Sequence, residues 1–278
     1  NPDTTGIPKP QGPFNTGCLR RVFIIGFLIL VFGTVLTIAG ASIGYIYIAS
    51  DLPPVGELRN RASNFETARI YDRNGDELYA LADPNAGNRT YVSVNQISQD
   101  LRDATIATED SRFYTNPGFD PIGITRAIIT AAREGDAFAG GGASTITQQL
   151  ARALLLDDDE RTDRSFRRKV REIILAAEMG REYEKDEILE LYLNEVNYGN
   201  RAYGIEAAAE TYFGKSAADL DLSEASLLAG LPQAPALWDP YTSPELALGR
   251  QSEVLNLMVN DGYVSQAEAQ EAINEMNL

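Results

Sequence analysis

The chain has 278 residues, a formal net charge of −16, one cysteine and no histidine. Without histidine there are no Ser-His-Asp or Cys-His catalytic groups and no His-ligated zinc site, so proton transfer would fall to carboxylates. The single Cys18 excludes an intrachain disulfide and a CxxC motif, and the acidic charge argues against a nucleic-acid partner.

The N-terminal part predicts a membrane anchor. Residues 1–21 have the composition of a disordered cytoplasmic tail, whereas residues 22–50 carry no charge. As a helix the second stretch would be roughly 43 Å long, and a hydrocarbon core is about 30 Å thick. Arg20 and Arg21 precede it, so the positive-inside rule predicts a single-pass protein with a cytoplasmic N-terminus. The alternative is a signal peptide cleaved near residues 39–41, but the apolar run exceeds the usual length of about 7–15 residues.

The next segment, residues 51–95, is interpreted as a linker with short strands. Residues 69–79 predict a β-hairpin that turns at Asn74-Gly75, a pair typical of tight hairpin turns. Residues 90–94, Thr-Tyr-Val-Ser-Val, predict a third short strand.

Residues 96–278 predict a mainly α-helical catalytic domain. The helix starts are indicated by capping residues at Ser98, Asp120-Pro121, Thr145 with Gln148, Ser243-Pro244 and Ser265 with Glu268. Further helices are predicted over residues 163–181 and 185–194.

An acidic pair, Glu109-Asp110, falls where one predicted helix ends in a turn. Most such pairs are solvated surface residues. In a chain without histidine, a carboxylate facing a loop is nevertheless the leading candidate for acid–base chemistry.

Two other stretches point to a ligand: the first to an anion or a sugar, the second to an anion. Residues 140–149 form a glycine loop that leads into a helix N-terminus rich in hydroxyls and amides, but they lack the GK[ST] of a phosphate-binding Walker loop. Six cations fall within residues 161–171, and Glu172 lies one turn after Arg168 and Lys169. This second pattern fits either a solvated ion-pair helix or a carboxylate among phosphate-binding cations.

Four motifs, ATEDSRFYTNPGFD, GGASTITQQLARALLL, RSFRRKVREIILAAEM and KDEILELYLNEVNYG, follow one another in the chain. In this order they resemble the peptidoglycan glycosyltransferases of glycosyltransferase family 51, which occur alone or as a module of class A penicillin-binding proteins. The resemblance implies a lysozyme-like, two-lobed α-helical domain with a membrane-associated jaw lobe. It also implies polymerisation of lipid II at the outer face of the bacterial plasma membrane, with a divalent metal such as Mg²⁺ or Mn²⁺. The implied partners are lipid II, the growing glycan chain, and other cell-wall synthesis, division or elongation proteins.

The resemblance also assigns residues. Glu109 would be the general base, and Glu172 would be the second catalytic glutamate, beside the pyrophosphate or its metal. The substrate-binding residues would be Asp110, Phe113, Asn116, Gly118, Ser144, Thr145, Gln148, Gln149, Arg152, Arg164, Lys169, Arg171 and Asn194. The family usually carries a histidine where this chain has Asn116, which can keep a hydrogen bond but cannot titrate.

Two alternatives stay open at this point: a lysozyme-like peptidoglycan hydrolase, and a non-catalytic scaffold that binds lipid II. A hydrolase needs a catalytic carboxylate but no cluster of cations for pyrophosphate.

Overall fold

The computed structural model describes residues 16–63, 67–75, 77–81, 88–134, 144–163 and 165–276. The chain divides into two compact units, residues 1–51 and residues 52–278. The predicted mainly α fold, with a short hairpin and one apolar N-terminal helix, is confirmed.

The first unit contains one helix, α1 (Thr16–Ala49). Its segment from Arg20 to Ala49 is long and apolar enough to cross a membrane. The hydroxyls of Thr34 and Thr37 donate to carbonyl oxygens four residues earlier, at 2.8 and 2.9 Å. These polar groups are therefore satisfied within the helix, as an apolar surrounding requires.

The second unit is built from eleven described helices and one two-stranded sheet. The helices are α2 (Leu58–Ser63), α3 (Gln99–Glu109), α4 (Pro121–Glu134), α5 (Ile146–Leu155), α6 (Asp158–Thr162), α7 (Phe166–Glu182), α8 (Lys185–Glu195), α9 (Ile205–Phe213), α10 (Leu222–Gly230), α11 (Pro244–Asp261) and α12 (Gln266–Glu275). The strands are β1 (Ala68–Tyr71) and β2 (Glu77–Leu81), paired antiparallel with a bulge at Ile70/Tyr71.

The predicted third strand is not formed. Residues 90–93 have no strand structure within the described chain, and residues 94–96 form a 3₁₀ turn. The side chain of Asn194 bonds both the N–H and the carbonyl of Val92, and Glu190 accepts from Val94 N at 2.8 Å. Because α8 side chains satisfy this backbone, it needs no neighbouring strand.

Helix α3 lies between two parts of the core. Leu101 and Ile106 belong to a large cluster that also includes residues of α5, α7, α8 and α9. The small residues Ala104 and Ala107 pack instead against α10, α11 and α12. Since both sides of α3 are packed, its last residue, Glu109, is held in a defined position.

Candidate active site

Glu109 ends α3 and is partly buried. Gln149 Nε2 on α5 donates to Glu109 Oε2 at 2.6 Å. Burial raises the pKa of Glu109, as does the neighbouring Asp110 charge, while the Gln149 hydrogen bond and the charges of Arg250 and Arg152 oppose the rise. A carboxylate in this setting is a stronger base than one in water.

Asp110 is buried and holds the following turn. Asn116 Nδ2 donates to both Asp110 oxygens at 2.9 Å, and Asn116 Oδ1 accepts from Gly118 N at 2.9 Å and Lys185 Nζ at 3.1 Å. Burial raises the pKa of Asp110, against the hydrogen bonds from Asn116 and Ile146 N and the charge of Lys185. Asn116 thus uses both ends of its amide in the turn, a role that needs no titratable group.

The turn is packed against two other helices. Gly118 has φ +101°, and a Cβ there would collide with the carbonyl oxygen of Ala176 on α7. The Thr145 hydroxyl donates to Gly118 O at 2.6 Å. Phe113 is fully buried under the Lys185 ammonium, whose nitrogen lies 4.6 Å from the ring centroid. Only glycine fits both the backbone angle and the contact at position 118.

The start of α5 is fixed by a capping box. Gln148 N donates to Thr145 Oγ1 at 3.1 Å, and Thr145 N donates to Gln148 Oε1 at 3.0 Å. Both side chains are buried. They therefore hold the helix N-terminus, while Ser144 and Gln149 on either side of them reach toward charged groups.

A cationic cluster lies at the other end of this segment. Lys169 Nζ donates to Ser144 Oγ at 2.7 Å and to Glu172 Oε2 at 3.2 Å. Arg168 pairs with the other Glu172 oxygen, and the Glu172 side chain is 1% exposed. Burial lowers the pKa of Lys169, and the Glu172 charge opposes the shift. Glu172 therefore lies in the protein interior with its two cations partly buried around it, so these ion pairs are not a solvated face.

The three remaining cations predicted for the site, Arg152, Arg171 and Arg164, differ in their surroundings. Arg152, half-buried on α5, lowers the pKa values of both Glu109 and Lys169, so its charge acts on both sides of the site. Arg171 is buried and pairs with Glu160 of α6 at 3.4 Å. Arg164 lies outside the described residues.

Asn194 lies apart from the charged groups of the site. Its amide donates to Val92 O at 2.8 Å and Glu190 O at 2.7 Å, and its oxygen accepts from Val92 N at 2.9 Å. Two of these bonds go to the backbone of Val92 and one to the backbone of α8 itself, so the visible role of Asn194 is to attach the segment at Val92 to α8.

A polar cleft of about 240 Å³ opens beside Glu109. It is lined by Ala107, Thr108, Glu109, Asp110, Ser111, Arg112, Asp120, Arg126, Ser144 and Thr145. Arg112 and Asp120 form an ion pair across it. The cleft thus gives a ligand access to both the carboxylate and the start of α5.

The donor set at Glu172 does not fit a metal ion held by the protein. Both carboxylate oxygens are already bound to the cations Arg168 and Lys169. Within the described part of the chain, no group of three or more Cys, His, Asp or Glu side chains could hold one. The metal expected from the resemblance stays a prediction.

One face of α4 exposes apolar side chains. Ile122 and Ile129 are exposed and border an open depression of about 470 Å³ with Arg126 and Arg133. Ile124 is half-buried. The spacing of Ile122, Ile124, Ile128, Ile129 and Phe138 fits either a membrane-facing stripe or a core stripe. The side chains of Ile128 and Phe138 lie outside the described residues.

The sequence reasoning gave no site role to three residues of this site. Lys185, Tyr192 and Arg250 contact or electrostatically influence the predicted residues. The pairing of Glu172 with Arg168, in contrast, was indicated by their spacing and is confirmed. Arg250 and Tyr192 lie far along the chain from Glu109, and only tertiary packing brings them together. The motif that includes Lys185 and Tyr192 was recognisable, but its spacing does not indicate which side chain points inward.

The chain that carries this arrangement of residues is similar to known proteins. The family model described as Transglycosylase matches residues 74–259. The chain belongs to the transglycosylase family. The resemblance stated from the four motifs is thereby confirmed.

Relatives of this transglycosylase include penicillin-binding protein 1A of Vibrio cholerae, 40% identical over 90% of this chain and 29% of that protein. Penicillin-binding protein 1A of Escherichia coli is 42% identical over 88% of this chain and 28% of its own length. A crystal structure of penicillin-binding protein 1A from Haemophilus influenzae covers 77% of this chain and 21% of that one, at 25% identity and a TM-score of 0.41. The chain thus spans under a third of these longer proteins.

Proposed function

We propose that this transglycosylase polymerises lipid II into β-1,4-linked glycan strands, with inversion at the anomeric carbon and release of undecaprenyl pyrophosphate. The observation that supports this most is the double attachment of residues 144–149. Gln149 bonds the carboxylate of Glu109, and Ser144 bonds the ammonium of Lys169. The capped start of α5 therefore lies between a base and a cationic cluster. The proposed reaction needs both, because it removes a proton from the acceptor and releases pyrophosphate from the donor.

Glu109 is the general base in this proposal. Its carboxylate takes the proton of the 4-hydroxyl of the acceptor lipid II while that oxygen bonds to the anomeric carbon of the growing chain. The bond from this carbon to the pyrophosphate oxygen breaks, and the electron pair leaves with the phosphate. The raised pKa of Glu109, caused by burial, makes it a better proton acceptor.

Lys169 and Arg168 compensate the charge that develops on the leaving pyrophosphate. Both are attached to Glu172, which is almost fully buried. Glu172 then holds the two cations in place, so they need no reorganisation as charge develops. No step is assigned to a metal, because the side chains at Glu172 do not fit one.

Membrane attachment would place this site beside its lipid substrate. The α1 segment is long and apolar enough to span a bilayer. Arg20 and Arg21 precede it, which favours a cytoplasmic N-terminus and an extracytoplasmic site. The exposed isoleucines of α4 supply a surface for the outer leaflet, and this surface is the proposed jaw.

The cationic cluster favours the transferase over a hydrolase, because hydrolysis of finished glycan releases no pyrophosphate. The test is to incubate the purified chain with lipid II in detergent or vesicles and to analyse the products. We expect new glycan polymer. Cleavage of existing peptidoglycan without synthesis would indicate the hydrolase, and binding of lipid II without either product would indicate the scaffold.

A further inference from the structure

Tyr192 lies on the inner face of α8, and the structure connects it to the proposed base. The side chain is 2% exposed, and its hydroxyl donates to Gln149 Oε1 at 3.3 Å. The other end of the same amide, Gln149 Nε2, donates to Glu109 Oε2 at 2.6 Å. A chain of hydrogen bonds therefore runs from α8 through α5 to the end of α3.

The orientation of the Gln149 amide matters for Glu109. A carboxamide can present its oxygen or its NH₂ group, and only the NH₂ group stabilises an ionised carboxylate. A buried phenol also needs an acceptor for its hydrogen, and within the described residues Gln149 Oε1 is the acceptor bonded to Tyr192. Turning the amide over would leave the Tyr192 hydrogen without its acceptor. Tyr192 therefore favours the orientation that points Nε2 at Glu109.

We propose that Tyr192 is a positioning residue that acts through the Gln149 amide to keep Glu109 oriented and ionised as the general base. This inference rests on the function proposed above. Burial raises the pKa of the Tyr192 phenol, as does the Glu109 charge, so its hydroxyl keeps its hydrogen over the working pH range.

Other groups around Glu109 act by charge or are neutral. Arg152 on α5 and Arg250 on α11 lower the pKa of Glu109, and Asp110 raises it. Tyr198, buried beyond α8, has a pKa raised by burial and is neutral. None of these four groups is hydrogen-bonded to the Gln149 amide in the described chain, so the orienting role falls to Tyr192.

The test is Tyr192→Phe in the full chain, with lipid II polymerisation measured against pH. The substitution keeps the buried ring and removes only the donor. In the plot of polymerisation rate against pH, the rate falls on the acidic side as Glu109 becomes protonated. We expect the midpoint of this acidic limb to rise by about half a pH unit, because Glu109 loses part of a hydrogen bond to its ionised form. One pH unit below the wild-type midpoint the rate should fall about threefold, while the plateau rate changes little.

Tyr183→Phe is the matched control, since the Tyr183 hydroxyl donates to Val55 O at 2.9 Å and has no bond to Gln149. It should keep the wild-type pH profile. In a Gln149→Ala background, adding Tyr192→Phe should not shift the midpoint of the acidic limb beyond its position in Gln149→Ala alone. An unmoved limb in Tyr192→Phe, or a shift that persists in the Gln149→Ala background, would overturn the proposal.

Gln149→Ala alone provides a second route if Tyr192→Phe does not fold. It removes the bond to Glu109 outright, so the acidic limb must move to higher pH, and an unmoved limb overturns the proposal. A wild-type chain that makes no polymer at any pH would instead contradict the proposed function, and this is seen before any variant is compared.

Discussion

Glu109 and Lys169 are partly buried charges of opposite sign, and each is bound by one end of residues 144–149. The sequence predicted both side chains and the polar segment between them. It did not indicate which polar residues of the segment face the charges, because Thr145 and Gln148 look equally suited. The structure separates them, since those two bond to each other in the capping box.

Glu109→Gln should stabilise the folded chain at neutral pH. Because burial raises the pKa of Glu109, the folded state binds this proton more tightly than the unfolded state. Ionisation therefore lowers the free energy of unfolding as pH rises through the raised pKa. Thermal unfolding should show a higher Tm for Glu109→Gln at pH 7, and this gain should disappear below the ordinary glutamate value of 4.5.

Glu271→Gln, at an exposed position of α12, controls for the change of net charge. It should leave the Tm difference near zero at both pH values. A Tm gain for Glu109→Gln that is equally large in acid would argue that desolvation of the Glu109 charge is not its cause.

Lys169→Ala should reduce polymerisation about a hundredfold, the usual scale for removing one group that stabilises transition-state charge. It should also weaken binding of a moenomycin-type phosphoglycolipid, the class of inhibitor that the family resemblance implies, because this inhibitor and the pyrophosphate of lipid II both carry phosphate. The control is Lys215→Ala, which removes a lysine paired with Glu224 at 2.8 Å. Unchanged inhibitor affinity in Lys169→Ala would mean that this cation serves only the Glu172 ion pair.

At the scale of elements, the helix starts were predictable because they depend on local capping. The side chains of Ser98, Thr145 and Ser265 accept hydrogen bonds from the first turns of α3, α5 and α12. The hairpin was also predictable from a local signal, because its turn uses a glycine, Gly75, at a positive φ of +91°. The missing third strand was not predictable, because its backbone is satisfied by α8 side chains distant in sequence.

The face of α7 was harder to predict. Phe166, Val170, Ile173, Ile174 and Ala177 recur at helical spacing and mark one apolar face of α7. Phe166 is 82% exposed, whereas Arg171 and Glu172 are buried. A pattern based on hydrophobicity cannot identify a helix that buries charges, since such burial is stable only when partners from other elements pair them.

The contact between α7 and the turn after α3 gives a prediction at this scale. A Cβ at Gly180 would lie 2.7 Å from Pro117 O, a backbone atom that cannot move alone. Gly180→Ala should therefore destabilise the chain by about 1–3 kcal/mol and lower activity by displacing the turn from the site. Denaturant unfolding and the lipid II assay measure the two effects.

Gly249→Ala is the matched control, because Gly249 also lies within a helix but has nothing within 4 Å of its would-be Cβ. It should stabilise the chain by up to about 1 kcal/mol. If both alanine variants gain stability, the close contact between α7 and the turn is not restrictive.

At the scale of the whole molecule, composition predicted the mainly helical body and the apolar N-terminal helix, since both follow from residue type over long stretches. The core of residues 52–278 is assembled from its own side chains. A chain that lacks residues 1–51 should therefore keep its cooperative unfolding transition. It should polymerise lipid II in detergent but lose activity on lipid II in vesicles, and equal loss in both would contradict an anchoring role for α1.

The central claim is that Glu109 removes the proton in a reaction that joins lipid II molecules. Its most direct test compares glycan polymer made from lipid II by the wild-type chain and by Glu109→Gln. Glutamine keeps the side-chain size and an oxygen for the Gln149 hydrogen bond, but it cannot accept the proton. We expect polymer from the wild type and a loss of at least about a hundredfold in a correctly folded Glu109→Gln chain. Polymer at a rate near that of the wild type from this variant would contradict the account.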